Sequence, residues 1–145
     1  HRQIAFYNFE KELHAEFRLA GYLSHDQIGR IFSKHMLSYM GPSVEQSEGS
    51  QNWWVYVSHF RNFFYVYSYP GGLLVSKYLQ REVKKDPNFI EKVKTYYSTG
   101  MSKSPKQTLQ DIGVTVDAAF WRQGLDEIRL LLDEAKSLAK KLGKI

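Results

Sequence analysis

Cysteine is absent from this 145-residue chain, which removes disulfides, thiolate metal sites and cysteine nucleophiles together. A chain that uses no disulfide suits a reducing compartment, so a cytoplasmic location is expected. Proline is scarce at four residues, and no apolar run approaches the roughly 18 residues that cross a bilayer, so no membrane partner is expected. No Gly-x-Ser-x-Gly elbow occurs, and Gly71-Gly72 lacks the lysine and spaced glycine of a phosphate loop. The five histidines, at positions 1, 14, 25, 35 and 59, include no HExxH pair. The chain by itself is therefore expected to hold no metal.

What is present describes a globular helical protein. Hydrophobic residues make up 43% and charged residues 24%, a balance that excludes disorder. The length alone suits one compact domain. The formal net charge is +5, with basic residues grouped at Lys84-Lys85 and at Lys136, Lys140, Lys141 and Lys144. Nucleic acid is one partner for such a surface. The C-terminal lysines read more simply as a solvated helix face whose cations favour the negative end of the macrodipole.

Helical periodicity organises most of the chain. Phe6, Phe9, Leu13, Phe17 and Ala20 fall on one face, with Glu10, Lys11, Glu12 and Arg18 assigned off it and Gly21 as a stop. Glu10 and His14 stand four apart, a spacing that would suit a shared ion, and read instead as a surface pair on a charged flank. The run opens at His1-Arg2-Gln3-Ile4 without a helix cap, and it reads as a piece of a longer polypeptide. Ser24 and Gln27 form a capping box ahead of Ile28, Ile31, Phe32, His35, Met36 and Tyr39. His35, on that apolar face, reads as a core histidine. Residues 42–52 are polar and aperiodic, hence a loop. Asp86-Pro87 and Ser104-Pro105 each pair an N-cap with proline at the first helical position. A last helix runs through Leu125, Ile128, Leu131, Leu132, Ala135, Leu138 and Leu142, with acids early and lysines late. The expected fold is all-α, a helical bundle forming one layer of something larger.

Nine of the 22 aromatic residues lie between Trp53 and Tyr69. Local propensity leaves residues 63–69 open between strand and helix. The segment Ser58-His59-Phe60-Arg61-Asn62-Phe63-Phe64-Tyr65-Val66-Tyr67-Ser68-Tyr69-Pro70-Gly71-Gly72 joins an imidazole and three phenols to a glycine pair. Such groups can donate hydrogen bonds to a developing oxyanion. They can equally be half-buried packing residues with hydroxyls at the rim.

His59-Phe60-Arg61-Asn62-Phe63-Phe64-Tyr65-Val66-Tyr67-Ser68-Tyr69 resembles the histidine-and-tyrosine segment of the oligoendopeptidase F family, relatives of thimet oligopeptidase. Three further stretches agree with that family in order. Arg2-Gln3-Ile4-Ala5-Phe6-Tyr7-Asn8-Phe9-Glu10 with Leu13-His14-Ala15-Glu16 resembles the helix after its zinc site. Tyr96-Tyr97-Ser98-Thr99-Gly100 with Ser102-Lys103-Ser104-Pro105 resembles its SGGS-x-x-P turn. Leu109-Gln110-Asp111-Ile112-Gly113-Val114 resembles its L-x-x-x-G-V step into the last helix. The resemblance spans nearly the whole chain.

It implies the C-terminal portion of a zinc metalloendopeptidase catalytic domain acting on oligopeptides. The zinc would be held by an upstream HExxH and a further glutamate, and the partner of this piece would be that N-terminal part. By resemblance, His59 and the tyrosines contact substrate and stabilise the tetrahedral intermediate. Tyr67 ranks first, Tyr65 next and Tyr69 last, with Tyr69, Arg61, Gly71 and Gly72 as substrate-binding positions. The piece alone is expected to be inactive. The family's segment is helical and carries alanine where Pro70 stands, and a proline there is expected to kink or break a helix. Flanked by loop 42–52 and Gly71-Gly72, residues 53–72 are expected to hinge toward substrate, or else the glycines mark a close helix contact. The rival class is an aromatic-rich basic helical module that binds nucleic acid or protein without catalysis.

Overall fold

The helix starts that the sequence marks with polar caps carry those caps in the computed structural model, which describes all 145 residues. The Ser24 hydroxyl accepts from the Gln27 amide at 3.2 Å, and the Gln27 side chain accepts from Ser24 N–H at 2.8 Å. Asp86 accepts from Asn88 N–H, and Ser104 from Gln107 N–H. The architecture is all-α: α1 (Arg2–Ala20), α2 (His25–Met40), α3 (Ser68–Lys85), α4 (Ile90–Ser98), α5 (Pro105–Asp111) and α6 (Ala118–Lys141). Short 3-10 helices fill Ser50–Tyr56, Ser58–Asn62, Tyr65–Tyr67 and Pro87–Phe89. No strand forms. No helix is long and apolar enough to cross a membrane.

The chain divides into two compact units, His1–Gly71 and Gly72–Ile145, where length alone suggests one. In the first, α1 packs on α2 through aromatic rings. Phe9 meets Phe32 edge-on at 5.2 Å between centroids, and Phe60 closes on Phe6 and Phe9 at 5.2 and 5.1 Å. Gly21, with φ of 73°, ends α1 in the left-handed region that costs glycine nothing, and its N–H bonds the Phe17 carbonyl. The loop after α2 is Gly41–Gly49, shorter than 42–52, because a 3-10 helix already begins at Ser50.

The aromatic segment forms no strand: it is 3-10 over Ser50–Tyr56, Ser58–Asn62 and Tyr65–Tyr67, and α-helical from Ser68. Trp54 and Phe60, on successive 3-10 helices, and Val57, extended between them, all pack against the α1–α2 core. Phe63 and Phe64 then take φ of 28° and 56° and reverse the chain. Pro70 breaks nothing. It is the third residue of α3, in the first turn, where a missing N–H has no intrahelical partner to lose.

Glu10 corrects the reading of α1. It is 2% exposed, beside Phe6 and Phe9 in the core, and it makes no surface pair with His14. His14 instead rests its ring on Phe64, 5.0 Å between centroids. The spacing 6-10-13-17 is itself an apolar-stripe spacing, so position 10 lies on the buried face whatever residue fills it.

In the second unit Leu79, Leu109, Ile112, Val114 and Phe120 form the core, with Tyr78 stacked 4.5 Å from Phe120. The Asp117 carboxylate caps α6 by accepting from Phe120 N–H at 2.8 Å. Lys84 of α3 pairs with the nearly buried Glu127 of α6 at 2.8 Å. Further along α6, Leu130, Leu131, Leu132, Leu138 and Leu142 are all exposed.

Candidate functional site

The 63–64 reversal folds the aromatic segment back on itself, so that residues before and after it meet. His59, in the 3-10 helix Ser58–Asn62, shares a 2.7 Å hydrogen bond between its Nε2 and the Tyr69 hydroxyl. Its ring also stacks on Tyr65, with centroids 5.5 Å apart and planes at 24°. Tyr65 and Tyr69 meet edge-to-face at 5.8 Å. The three rings thus form one closed cluster.

Tyr65 and Tyr69 reach the same side because they are four residues apart across a continuous turn of helix. Tyr67, two residues from each, points elsewhere. It is 63% exposed and makes no ring contact or hydrogen bond with the cluster. Ser68 donates to the Tyr65 carbonyl at 2.7 Å and tightens the turn that carries both phenols. Arg61 lies off the cluster, donating to the Val55 carbonyl at 3.3 Å.

Gly71 and Gly72 occupy the end of the first turn of α3 and neither has a positive φ. A Cβ built on either would meet no atom within 4 Å, so they mark no close helix contact. A loop hinge is not their local structure either, since the helix runs through them.

The cluster is chemically competent in a specific way. Nε2 of the neutral ring accepts the Tyr69 proton in one tautomer, or donates to the phenol oxygen in the other. Only the second leaves the Tyr69 O–H free to donate at the open, half-exposed rim formed by Tyr65 and Tyr69. No three His, Asp or Glu side chains converge anywhere in the chain, and His59 Nε2 is already engaged by Tyr69.

Two other groups of polar residues escape the sequence reading. Glu10 accepts from Phe64 N–H at 2.8 Å beneath the cluster's turn. His35 is no simple core residue, because its Nε2 and Lys34 Nζ both lie 2.8 Å from Glu12. The Lys34 ammonium, hydrogen-bonded to Glu12, and then His35 hold that carboxyl below the usual carboxylate range against a partial burial that opposes them. An apolar groove in the second unit, lined by Leu79, Val83, Ile90, Val93 and Tyr97, has only Lys84, Gln80 and Ser76 as polar company and gathers no acid–base pair.

No protein-family model, curated protein or solved structure matches the chain.

Proposed function

We propose that this chain is the C-terminal part of the catalytic domain of a zinc metalloendopeptidase that cleaves oligopeptides, and that it supplies the hydrogen-bond donors that hold substrate and stabilise the oxyanion. The observation that carries the reading is the His59–Tyr69 hydrogen bond, closed against Tyr65. It joins the histidine and the tyrosines of the very segment that resembles oligoendopeptidase F. The exposed leucines of α6 agree with one layer of a larger helical body, because so many apolar side chains left in water are unfavourable.

In this reading a peptide lies along the rim of Tyr65 and Tyr69. His59 Nε2–H donates to the Tyr69 oxygen, and the phenol donates its own O–H to the carbonyl oxygen as negative charge develops. A donor already oriented by a neighbour needs no reorganisation when the charge appears, which is the source of its catalytic advantage. The metal would be held by residues preceding His1, and no step assigned to this chain passes through it. Placement in the cytoplasm belongs to the same proposal.

The test is the coding sequence upstream of His1, together with peptidase assay of its full-length product. An HExxH followed by a further glutamate, and zinc-dependent cleavage of short peptides, are expected. Absence of the motif upstream would leave the aromatic cluster as packing and sink the reading.

A further inference from the structure

Glu10 is enclosed but only half satisfied. Its Oε1 accepts from Phe64 N–H at 2.8 Å, while Oε2 is buried with no hydrogen-bond partner. A carboxylate so placed is costlier than an apolar side chain of the same volume. Packing alone does not call for it.

What it holds is strained. Phe63 and Phe64 carry bulky side chains at positive φ, a conformation costing on the order of 1–3 kcal/mol per residue unless its surroundings impose it. The surroundings here come from one face of α1. Tyr7 meets the Phe64 ring at 5.8 Å, Glu10 takes its N–H, and His14 covers the ring at 5.0 Å. Positions 7, 10 and 14 are a helical i, i+3, i+7 set. They grip one residue at the point where the chain reverses between His59 and Tyr65.

We infer that Glu10 is a positioning residue, whose carboxylate locks the Phe63–Phe64 turn and so sets Tyr65 and Tyr69 against His59. It touches no substrate. Its effect on turnover rests on the peptidase reading, whereas its effect on the cluster does not.

The test uses two replacements. Glu10→Met fills the same space without an acceptor, and Glu10→Gln keeps an acceptor oxygen. In the 145-residue chain, Glu10→Met should keep a melting temperature equal to or above that of the parent. Its Phe64 amide should nevertheless exchange at least tenfold faster, and the His59 Nε2 resonance should move toward that of Tyr69→Phe. Glu10→Gln should hold both signals near the parent. A Glu10→Met chain that unfolds, or that retains both signals, overturns the inference, as does a Glu10→Gln chain that loses them. In the full-length peptidase, Glu10→Met should lower kcat at least tenfold with KM within twofold, and Glu10→Gln should restore kcat within threefold. If the parent enzyme shows no peptidase activity, the function fails, and the Phe64 and His59 signals still decide the role of Glu10.

Discussion

Gly124 of α6 faces the backbone of Leu74 in α3 so closely that a Cβ on it would lie 2.7 Å from the Leu74 carbonyl oxygen and 3.2 Å from its Cα. The obstacle is main chain, which cannot swing aside as a side-chain tip can. Gly124→Ala must therefore separate the two helices. Overpacking of this kind costs about 1–3 kcal/mol, exceeding the gain of up to about 1 kcal/mol that alanine brings to a helix interior. Urea unfolding should show a lowered midpoint with unchanged slope. A midpoint equal to or above the parent's would show that the helices are not held at this distance.

Gly71 and Gly72 should behave oppositely. With open space around each and ordinary helical backbone, alanine at either position should stabilise α3 by roughly 0.5–1 kcal/mol. On the peptidase reading, the double replacement separates this from a hinge in the proposed full-length peptidase. Raised stability with full turnover makes the glycines bystanders, while raised stability with lost turnover makes their flexibility functional. A lowered melting temperature contradicts the open geometry.

Acid should weaken the fold through particular pairs. The Lys34 hydrogen bond holds Glu12 below its ordinary value, Lys103 and then Gln107 do so for Asp111, and Lys84 for Glu127. A carboxyl with a lowered folded value contributes stability that is complete above its unfolded value, near 4.3 for glutamate and 3.9 for aspartate. That contribution disappears as pH falls through the lower folded value. Melting temperature should decline below about pH 4.5, and Glu12→Gln should flatten part of the decline while lowering stability at pH 7. An unaltered pH profile in Glu12→Gln would remove Glu12 from this account.

On the peptidase reading, the tyrosines can be ranked by phenylalanine replacement in the proposed full-length peptidase. Tyr69→Phe removes the hydroxyl bonded to His59, so kcat should fall by about a hundredfold with KM little changed, the signature of a donor used in the transition state. Tyr65→Phe keeps the stacked ring and should cost less. Tyr67 stands outside the cluster, and Tyr67→Phe should be nearly silent. A large loss confined to Tyr67→Phe would return the oxyanion role to that residue.

Much of the fold was written locally, in residues that act on their near neighbours. Ser24 with Gln27, Asp86-Pro87 and Ser104-Pro105 start helices because a side-chain oxygen or a fixed φ satisfies the first turn with no help from elsewhere. The apolar spacing of α1 and α2 and the all-α class were legible for the same reason. Only tertiary structure decided the rest. Trp54 and Phe60, on two 3-10 helices, and Val57, in the extended link between them, all pack against the α1–α2 core, a partner that no local propensity encodes. The helix spacing buries position 10, but what its carboxyl meets there, the Phe64 N–H, comes from 54 residues away. The pairing of His59 with Tyr69, instead of Tyr67, follows from a reversal at Phe63-Phe64 that those residues would not adopt unaided. Short-range chemistry sets the helices, and the strained backbone that builds the cluster persists only because distant contacts outweigh its cost.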